Sequence, residues 1–152
     1  MIFAIRATAA LAIAALSIAA APAQTVTDPL AALSGRWVWV GNSEKYGHAK
    51  ACAERWERYE VSADRRTIQN WYIADNNGKP EQKTGKGYVV LYEEGNSFAL
   101  YLNNEERRLK NGDRYVWMGI FETRDRLHWR VHGSSATFEQ LAPYARLRCP
   151  DR

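Results

Sequence analysis

The three histidines are the side chains best suited to acid–base or metal chemistry near neutral pH. His128 and His132 lie on one face of a predicted strand, ~13 Å apart at the rise of a strand. That separation is too large for one metal ion to bind both, and Arg130 between them would repel a cation. We interpret this face as a polar outer surface. His48 precedes Cys52 by four residues, but an oxidised Cys52 cannot join it in a metal site. The spacing therefore predicts no metal and no cofactor.

Acidic residues recur in short clusters. Two carboxyl groups can act as a general acid and a general base, but only at a defined separation inside a cleft. The clusters are Glu54, Glu57 and Glu60; Glu93 and Glu94; and Glu105 and Glu106. Most of them fall in predicted turns or beside arginine, which favours solvated surface charge. No Gly-x-Ser-x-Gly, phosphate-loop or dinucleotide-binding pattern is present. We predict no catalytic residue; an enzyme that uses His132 or a buried glutamate as base is the less favoured alternative.

Aromatic side chains are the unusual feature of the chain. All six Trp, all eight Tyr and three of the four Phe lie beyond residue 23. Such side chains either fill the interior of a small barrel or line a cavity for an apolar or planar ligand. Candidate lining residues are the aromatic or large apolar members of alternating strand faces: Trp39, Tyr88, Val90, Tyr92, Leu100, Trp117, Phe121 and Trp129.

Residues 1–23 have the pattern of a secretory signal peptide. Arg6 precedes an apolar run over residues 7–21, and Ala21-Pro22-Ala23 is a small-x-small cleavage site. A membrane anchor is the alternative, but the run is Ala-rich and short for a span of ~20 strongly apolar residues. We expect a periplasmic or secreted protein without stable membrane insertion after cleavage. Residues 24–34 would be a lead-in, and residues 35–152 a single domain.

The charge pattern argues against a nucleic-acid partner. The formal net charge is +4, and the basic pairs at residues 65–66 and 107–108 stand beside Asp64 and beside the acidic pair at residues 105–106. A nucleic-acid-binding protein concentrates its basic side chains on one face. Here they are dispersed, which is typical of a solvated surface.

The two cysteines are predicted to pair. Cys52 and Cys149 are the only cysteines of a chain that we expect to be exported, and an oxidising compartment favours a disulfide. A bridge across a loop of this size stabilises a fold by about 4–5 kcal/mol in the chain-entropy account. Two free thiols are the alternative.

Short alternating runs between turn residues predict about eight strands. We place them at residues 36–40, 55–62, 67–74, 87–93, 97–103, 114–122, 126–132 and 144–149. A loop or helical turn leads into the second strand, residues 104–109 prolong the fifth, and residues 110–113 form a hairpin turn. Thr137-x-x-Gln140 resembles a capping box that opens a short helix within residues 134–142. The expected fold is an all-β, antiparallel up-and-down barrel of about eight strands, with a two-sheet sandwich as the alternative.

Gly35-Arg36-Trp37 resembles the Gly-x-Trp motif that opens the first strand of lipocalins and related calycin barrels. The family's middle motif, Thr-Asp-Tyr, has no counterpart here; residues 123–126 are the nearest segment. The resemblance implies a barrel whose closed end is plugged by Trp37, with Arg146 or Arg148 packed across its ring. It also implies a short helical lead-in over residues 28–33.

We therefore expect an exported, lipocalin-like protein that binds a small, mostly apolar or aromatic molecule in its barrel without catalysis. The alternative is an exported module that contacts another protein of the cell envelope, such as an inhibitor of a hydrolase, through residues 46–55 and 103–113. An exposed patch around Tyr46 on a filled barrel would favour that alternative.

Overall fold

The computed structural model describes residues 25–76 and 79–151, and its strands close into a barrel. The predicted signal peptide lies outside the described residues, as do Asn77 and Gly78. The strands are β1 (Gly35–Trp39), β2 (Glu57–Val61), β3 (Thr67–Asn76), β4 (Lys79–Glu94), β5 (Ser97–Leu102), β6 (Trp117–Thr123), β7 (Arg126–Val131) and β8 (Arg146–Arg148). Each strand pairs antiparallel with the next, and β8 pairs with β1. The predicted up-and-down barrel is confirmed, and the sandwich is excluded.

Four short helices accompany the barrel in the part of the chain that the structure describes. They are α1 (Pro29–Leu33), α2 (Val40–Tyr46), α3 (His48–Glu54) and α4 (Phe138–Leu141), the last followed by a 3₁₀ turn at Ala142–Tyr144. Asp28 caps α1 by accepting a 2.9 Å hydrogen bond from the Ala31 amide. Thr137 and Gln140 form the predicted capping box of α4. None of these helices is long and apolar enough to cross a membrane.

The fifth strand is shorter than its sequence predicts. β5 ends at Leu102, and residues 104–109 form turns instead of prolonging it; a single bridge pairs Arg108 with Arg114. The cause is local, because the Arg107 guanidinium turns back onto Glu105 at 2.7 and 2.6 Å and the Arg107 amide also donates to that carboxylate. Such side-chain and backbone bonds compete with a strand ladder.

One half of the barrel interior is solidly packed. Its buried core contains Val26, Leu30, Leu33, Trp37, Tyr59, Ile68, Phe98, Leu100, Phe121 and Leu127. The lead-in and α1 supply the first three, so they close that end of the barrel. Gly119 faces Phe98 across the β5–β6 pairing, and a Cβ at this glycine would collide with the Phe98 ring. Phe98 can therefore lie flat across the interior only because residue 119 has no side chain.

The predicted disulfide is present and lies outside the barrel. Cys52 of α3 bonds to Cys149, with 5.5 Å between their Cα atoms. Both pack with Val38 and Ala51 in a second buried cluster between α3 and the outer face of β1. The bridge therefore ties the end of the last strand to the helices that follow the first.

His128 corrects the prediction of a polar outer face on β7. Its side chain is only 1% exposed, whereas His132 is exposed as expected. Phe138 of α4 stacks on the His128 ring with 4.7 Å between centroids, and His128 Nε2 lies 2.8 Å from Glu122 Oε2. The strand pattern does point His128 outward, but α4, the next element after β7, packs over it.

Candidate functional site

The open end of the barrel contains a cavity of about 270 Å³. Residues from β2, β4, β5, β6, β7 and β8 line it, together with one residue of the turns after β5. The lining residues are Glu57, Tyr59, Lys86, Tyr88, Leu102, Arg107, Trp117, Trp129 and Arg146. The site therefore combines an aromatic wall with an unusual number of charged groups.

The aromatic wall follows from strand register. Tyr88 is paired with Leu102, and Trp117 with Leu100 one step deeper, so side chains from three neighbouring strands point into the barrel together. Trp129 forms the boundary with the packed core, since its ring lies 5.4 Å from Phe98 in an edge-to-face contact. This wall is rigid at its base and open toward the mouth.

A partly buried ion pair lies beside the aromatic wall. Arg146 Nε donates to Glu57 Oε1, and the two side chains are 11% and 14% exposed. Arg146 also donates to the Tyr144 carbonyl at 2.7 Å, and its guanidinium carbon lies 4.1 Å from the centre of the Trp39 ring. The Arg146 member of the pair is thus held in place by further contacts.

The two tyrosines of the site are fixed in their protonated form at neutral pH. Burial raises the pKa of Tyr59 well above its ordinary value, and the neighbouring Glu57 charge raises it further. Burial also raises the pKa of Tyr88 to about 12, with a smaller contribution from Glu57. Both hydroxyls are therefore hydrogen-bond donors and poor proton acceptors.

The mouth of the cavity is lined by Lys86 and Arg107. Arg107 makes a two-pronged ion pair with Glu105 and lies 4.6 Å from the centre of the Tyr115 ring. The hydrogen bonds from Arg107 lower the pKa of Glu105, and the Lys86 charge adds to that effect. Lys86 itself forms no salt bridge with any residue that the structure describes.

These groups are arranged for holding a molecule more than for transferring protons. The Glu57 carboxylate accepts from Arg146, so one of its oxygens is engaged. His132, the base considered from sequence, is absent from the cavity lining. His48 lies outside the cavity too, bonded to Ser43 and to the Arg148 carbonyl at 3.1 Å each. Across residues 25–76 and 79–151, no group of three potential ligand side chains could hold a metal ion.

The predicted lining residues divide into three groups. Tyr88, Trp117 and Trp129 line the cavity. Leu100 and Phe121 point into the barrel but belong to its packed half, and Val90 packs partly buried against the same core. These three side chains point into the barrel as predicted, but they lie at a depth where other side chains already fill the interior.

Trp39 and Tyr92 lie outside the cavity. Tyr92 is 39% exposed because a bulge between Val90 and Tyr92 reverses the alternation of β4 and turns its ring outward. Trp39 is 45% exposed at the end of β1, where the Arg146 guanidinium lies over its ring. A strictly alternating strand pattern does not predict the exposure of either side chain.

Sequence reasoning missed the polar members of the cavity. Glu57, Tyr59, Lys86, Leu102 and Arg107 line it beside the predicted aromatics, and Arg146 was expected only as a partner of Trp37. A signal was present, since residue 57 shares the phase of Tyr59, the buried residue of β2, and residue 86 shares the phase of Tyr88. Selecting only aromatic or large apolar residues left out Glu57, Lys86 and Arg107, but it does not account for Tyr59 and Leu102.

The opposite end of the barrel has the arrangement implied by the Gly-x-Trp resemblance. Trp37 is fully buried, its indole Nε1 donates to the Leu33 carbonyl at 2.8 Å, and the Arg148 guanidinium carbon lies 4.4 Å from its ring centre. Arg148 also donates to the carbonyls of Ala32 and Ser34. Its pKa is lowered by burial. Of the two arginines considered, Arg148 packs on Trp37.

Gly35 allows this close packing. Its φ of +124° is a conformation that side-chain-bearing residues rarely adopt, and a Cβ there would lie 3.2 Å from Arg148 Nη1.

Comparisons with known proteins identify no relative: no protein-family model matches the chain, and no match is found among curated proteins or solved structures.

Proposed function

We propose that this protein binds a small planar, largely apolar molecule in the open end of its barrel and does so without catalysis. The observation that carries the proposal is the 270 Å³ cavity walled by Tyr88, Trp117 and Trp129. Ligand sites of drug-sized molecules occupy roughly 300–1,000 Å³, so this one suits one or two fused rings.

Burial of apolar surface would supply most of the binding free energy. Each Å² removed from water contributes about 25 cal/mol, and offset or edge contacts between rings add about 0.5–1.5 kcal/mol. The protonated hydroxyl of Tyr88 and the Arg146 guanidinium can orient a polar substituent. A small aromatic molecule with one polar group matches this combination of an apolar wall and polar side chains.

We further propose that the protein is an exported, lipocalin-like barrel. Supporting this are the closed antiparallel topology, the Trp37–Arg148 stack beneath a short lead-in helix, and the signal-peptide pattern of residues 1–23. The Cys52–Cys149 bridge is compatible with an oxidising compartment outside the cytoplasm.

The protein–protein alternative has less support. The Arg55 guanidinium carbon lies 4.3 Å from the centre of the Tyr46 ring and Lys45 Nζ lies 5.1 Å from it, so Tyr46 is not a bare apolar anchor. The barrel also contains a cavity instead of being filled throughout. Both observations favour a small ligand over a macromolecular partner bound at this loop.

The test is a titration with 1-naphthylamine, an uncharged two-ring aromatic probe whose fluorescence changes in an apolar site. We expect saturable binding by the wild-type protein and at least about five-fold weaker binding by Trp117→Ala, since a ring contact of about 1 kcal/mol is lost. Trp71→Ala is the matched control. Trp71 lies outside the cavity lining, and the Arg58 guanidinium carbon lies 4.7 Å from its ring centre.

Absence of saturable binding to wild type would refute the proposal. Equal weakening by Trp117→Ala and Trp71→Ala would also refute it, because the probe would then not be reading the cavity. Thermal unfolding of each variant shows whether its fold is retained.

A further inference from the structure

We infer that the bound molecule is an aromatic carboxylate, with its ring against the aromatic wall and its carboxylate at the mouth beside Lys86 and Arg107. This inference rests on the proposed function and names the chemical class of its ligand. It is carried by the charges around the cavity, which the aromatic wall alone does not explain.

Positive charge exceeds negative charge at the site. The lining contains Lys86, Arg107 and Arg146 but only one carboxylate, Glu57. Arg146 is neutralised by Glu57, and Arg107 is neutralised by Glu105 just beyond the lining. Lys86 is left without a salt-bridge partner among the described residues, so the mouth has one cation in excess.

The position of this excess charge determines where an anionic group would be placed. Lys86 is exposed, whereas Glu57 and Arg146 are largely buried and already paired. A ligand anion at the floor would lose its hydration and compete with Glu57 for Arg146, and both effects are unfavourable. At the mouth it keeps much of its water and faces Lys86, while Arg107 stays paired with Glu105. The geometry therefore favours an apolar end inward and an anionic end outward.

Strand spacing limits the length of the ligand. Lys86 and Tyr88 are two residues apart on the same face of β4, which is about 7 Å along a strand. A carboxylate attached directly to a one- or two-ring system spans that distance. An anion on a long flexible chain would reach past the mouth.

The experiment compares 2-naphthoate with its uncharged isostere 2-naphthamide by isothermal titration calorimetry at low ionic strength. We expect the wild-type protein to bind the carboxylate about three- to five-fold more tightly, as for one partly exposed ion pair. The preference should shrink as salt is added, because exposed charges are screened.

Lys86→Gln should abolish the preference of the protein for the carboxylate over the amide. Lys83→Gln is the matched control: it removes one positive charge from the same strand, but Lys83 pairs with Glu81 and lies outside the lining. It should retain the preference. Equal affinity of wild type for both compounds would overturn the inference. So would an equal loss of preference in both variants, because net charge and not the mouth would then be responsible.

Failure of this inference is separable from failure of the proposed function. If naphthamide and the uncharged naphthylamine bind in the cavity but the carboxylate gains nothing, the function stands and the ligand class is wrong. If none of the three binds, the proposed function itself has failed.

Discussion

Two tryptophan–arginine pairs lie two residues apart along the same two strands, and they have opposite surroundings. Trp37 pairs with Arg148 across β1 and β8, and Trp39 pairs with Arg146. In both pairs the guanidinium carbon lies just over 4 Å from the ring centre. Yet Trp37 is fully buried, while Trp39 is 45% exposed.

The difference comes from what the rest of the chain contributes at each end of the barrel. At the closed end, α1 lies against Trp37, and its carbonyls and those beside it accept from both the indole and Arg148. At the open end, a carboxylate, Glu57, neutralises Arg146 beside a cavity, and the Tyr144 carbonyl of the 3₁₀ turn also accepts from Arg146. The same motif thus serves as a structural plug at one end and as part of a candidate binding site at the other.

The largest difference between the two ends should appear in tryptophan truncation. Trp37→Ala removes a fully buried ring and should lower the free energy of unfolding by about 3–5 kcal/mol. Trp39→Ala removes a half-exposed ring and one cation–π contact, and should cost less than about 1 kcal/mol. Denaturant unfolding of both variants measures this; equal costs would show that the two ends are not distinct.

Breaking the buried ion pair should have the next largest effect. Arg146→Met leaves the Glu57 carboxylate largely buried without its partner and should cost about 2–3 kcal/mol, somewhat less than a fully buried pair. The double variant Glu57→Leu/Arg146→Met removes both charges and should recover part of that loss. A double-mutant cycle in chemical denaturation reports the coupling. Strictly additive effects would mean that the pair contributes nothing through its charges.

The lead-in helix should depend on its capping carboxylate. Asp28 accepts from the Ala31 amide and from Arg65 at 2.7 and 3.0 Å, so Asp28→Ala should cost about 1 kcal/mol. The Arg65 hydrogen bond, followed by that of Ala31, lowers the pKa of Asp28 below its ordinary 3.8. Its stabilisation is therefore present above that pH and lost as the pH falls through the lowered pKa.

Acid unfolding compares Asp28→Ala with wild type, and Asp113→Ala in an exposed turn is the control. The Asp28 variant should lose less stability than wild type on acidification. If the Asp28 and Asp113 variants have the same acid dependence, Asp28 does not anchor the closed end.

A further effect should be confined to alkaline pH. Burial raises the pKa of Tyr88 from 10.0 to about 12, so its contribution to stability is complete below pH 10 and is lost as the pH rises toward 12. Tyr88→Phe should therefore lose less stability than wild type across that interval. Tyr92→Phe, on the same strand but 39% exposed, should follow wild type. Unfolding at stepped alkaline pH measures the difference, and a wild-type-like decline in Tyr88→Phe would contradict burial of its hydroxyl.

The barrel was predictable from sequence because its determinants are local. Alternation in β6 and β7 oriented Trp117 and Trp129 correctly, and the capping box of α4 was visible in Thr137 and Gln140. The cysteine pairing followed from there being only two cysteines. Strand orientation and helix capping depend on residues close in sequence, and the disulfide had only one possible pairing.

The depth of each inward residue was not predictable. Phe121 and Trp117 have the same phase in one strand, but only Trp117 lies above the level to which α1 and the core fill the barrel. The Glu57–Arg146 pair joins residues 89 positions apart, and the covering of His128 depends on a helix that packs from outside. These properties follow from three-dimensional packing that strand alternation does not encode.

The central claim is that one end of the barrel is solid and the other takes a ligand, and the indole N–H signals of the six tryptophans test it in one spectrum. Titrating ¹⁵N-labelled protein with 2-naphthamide should shift the signals of Trp117 and Trp129 in a saturable manner. The signals of Trp37 and Trp71 should stay in place. Shifts at Trp37, or no saturable shift at Trp117 and Trp129, would contradict the account.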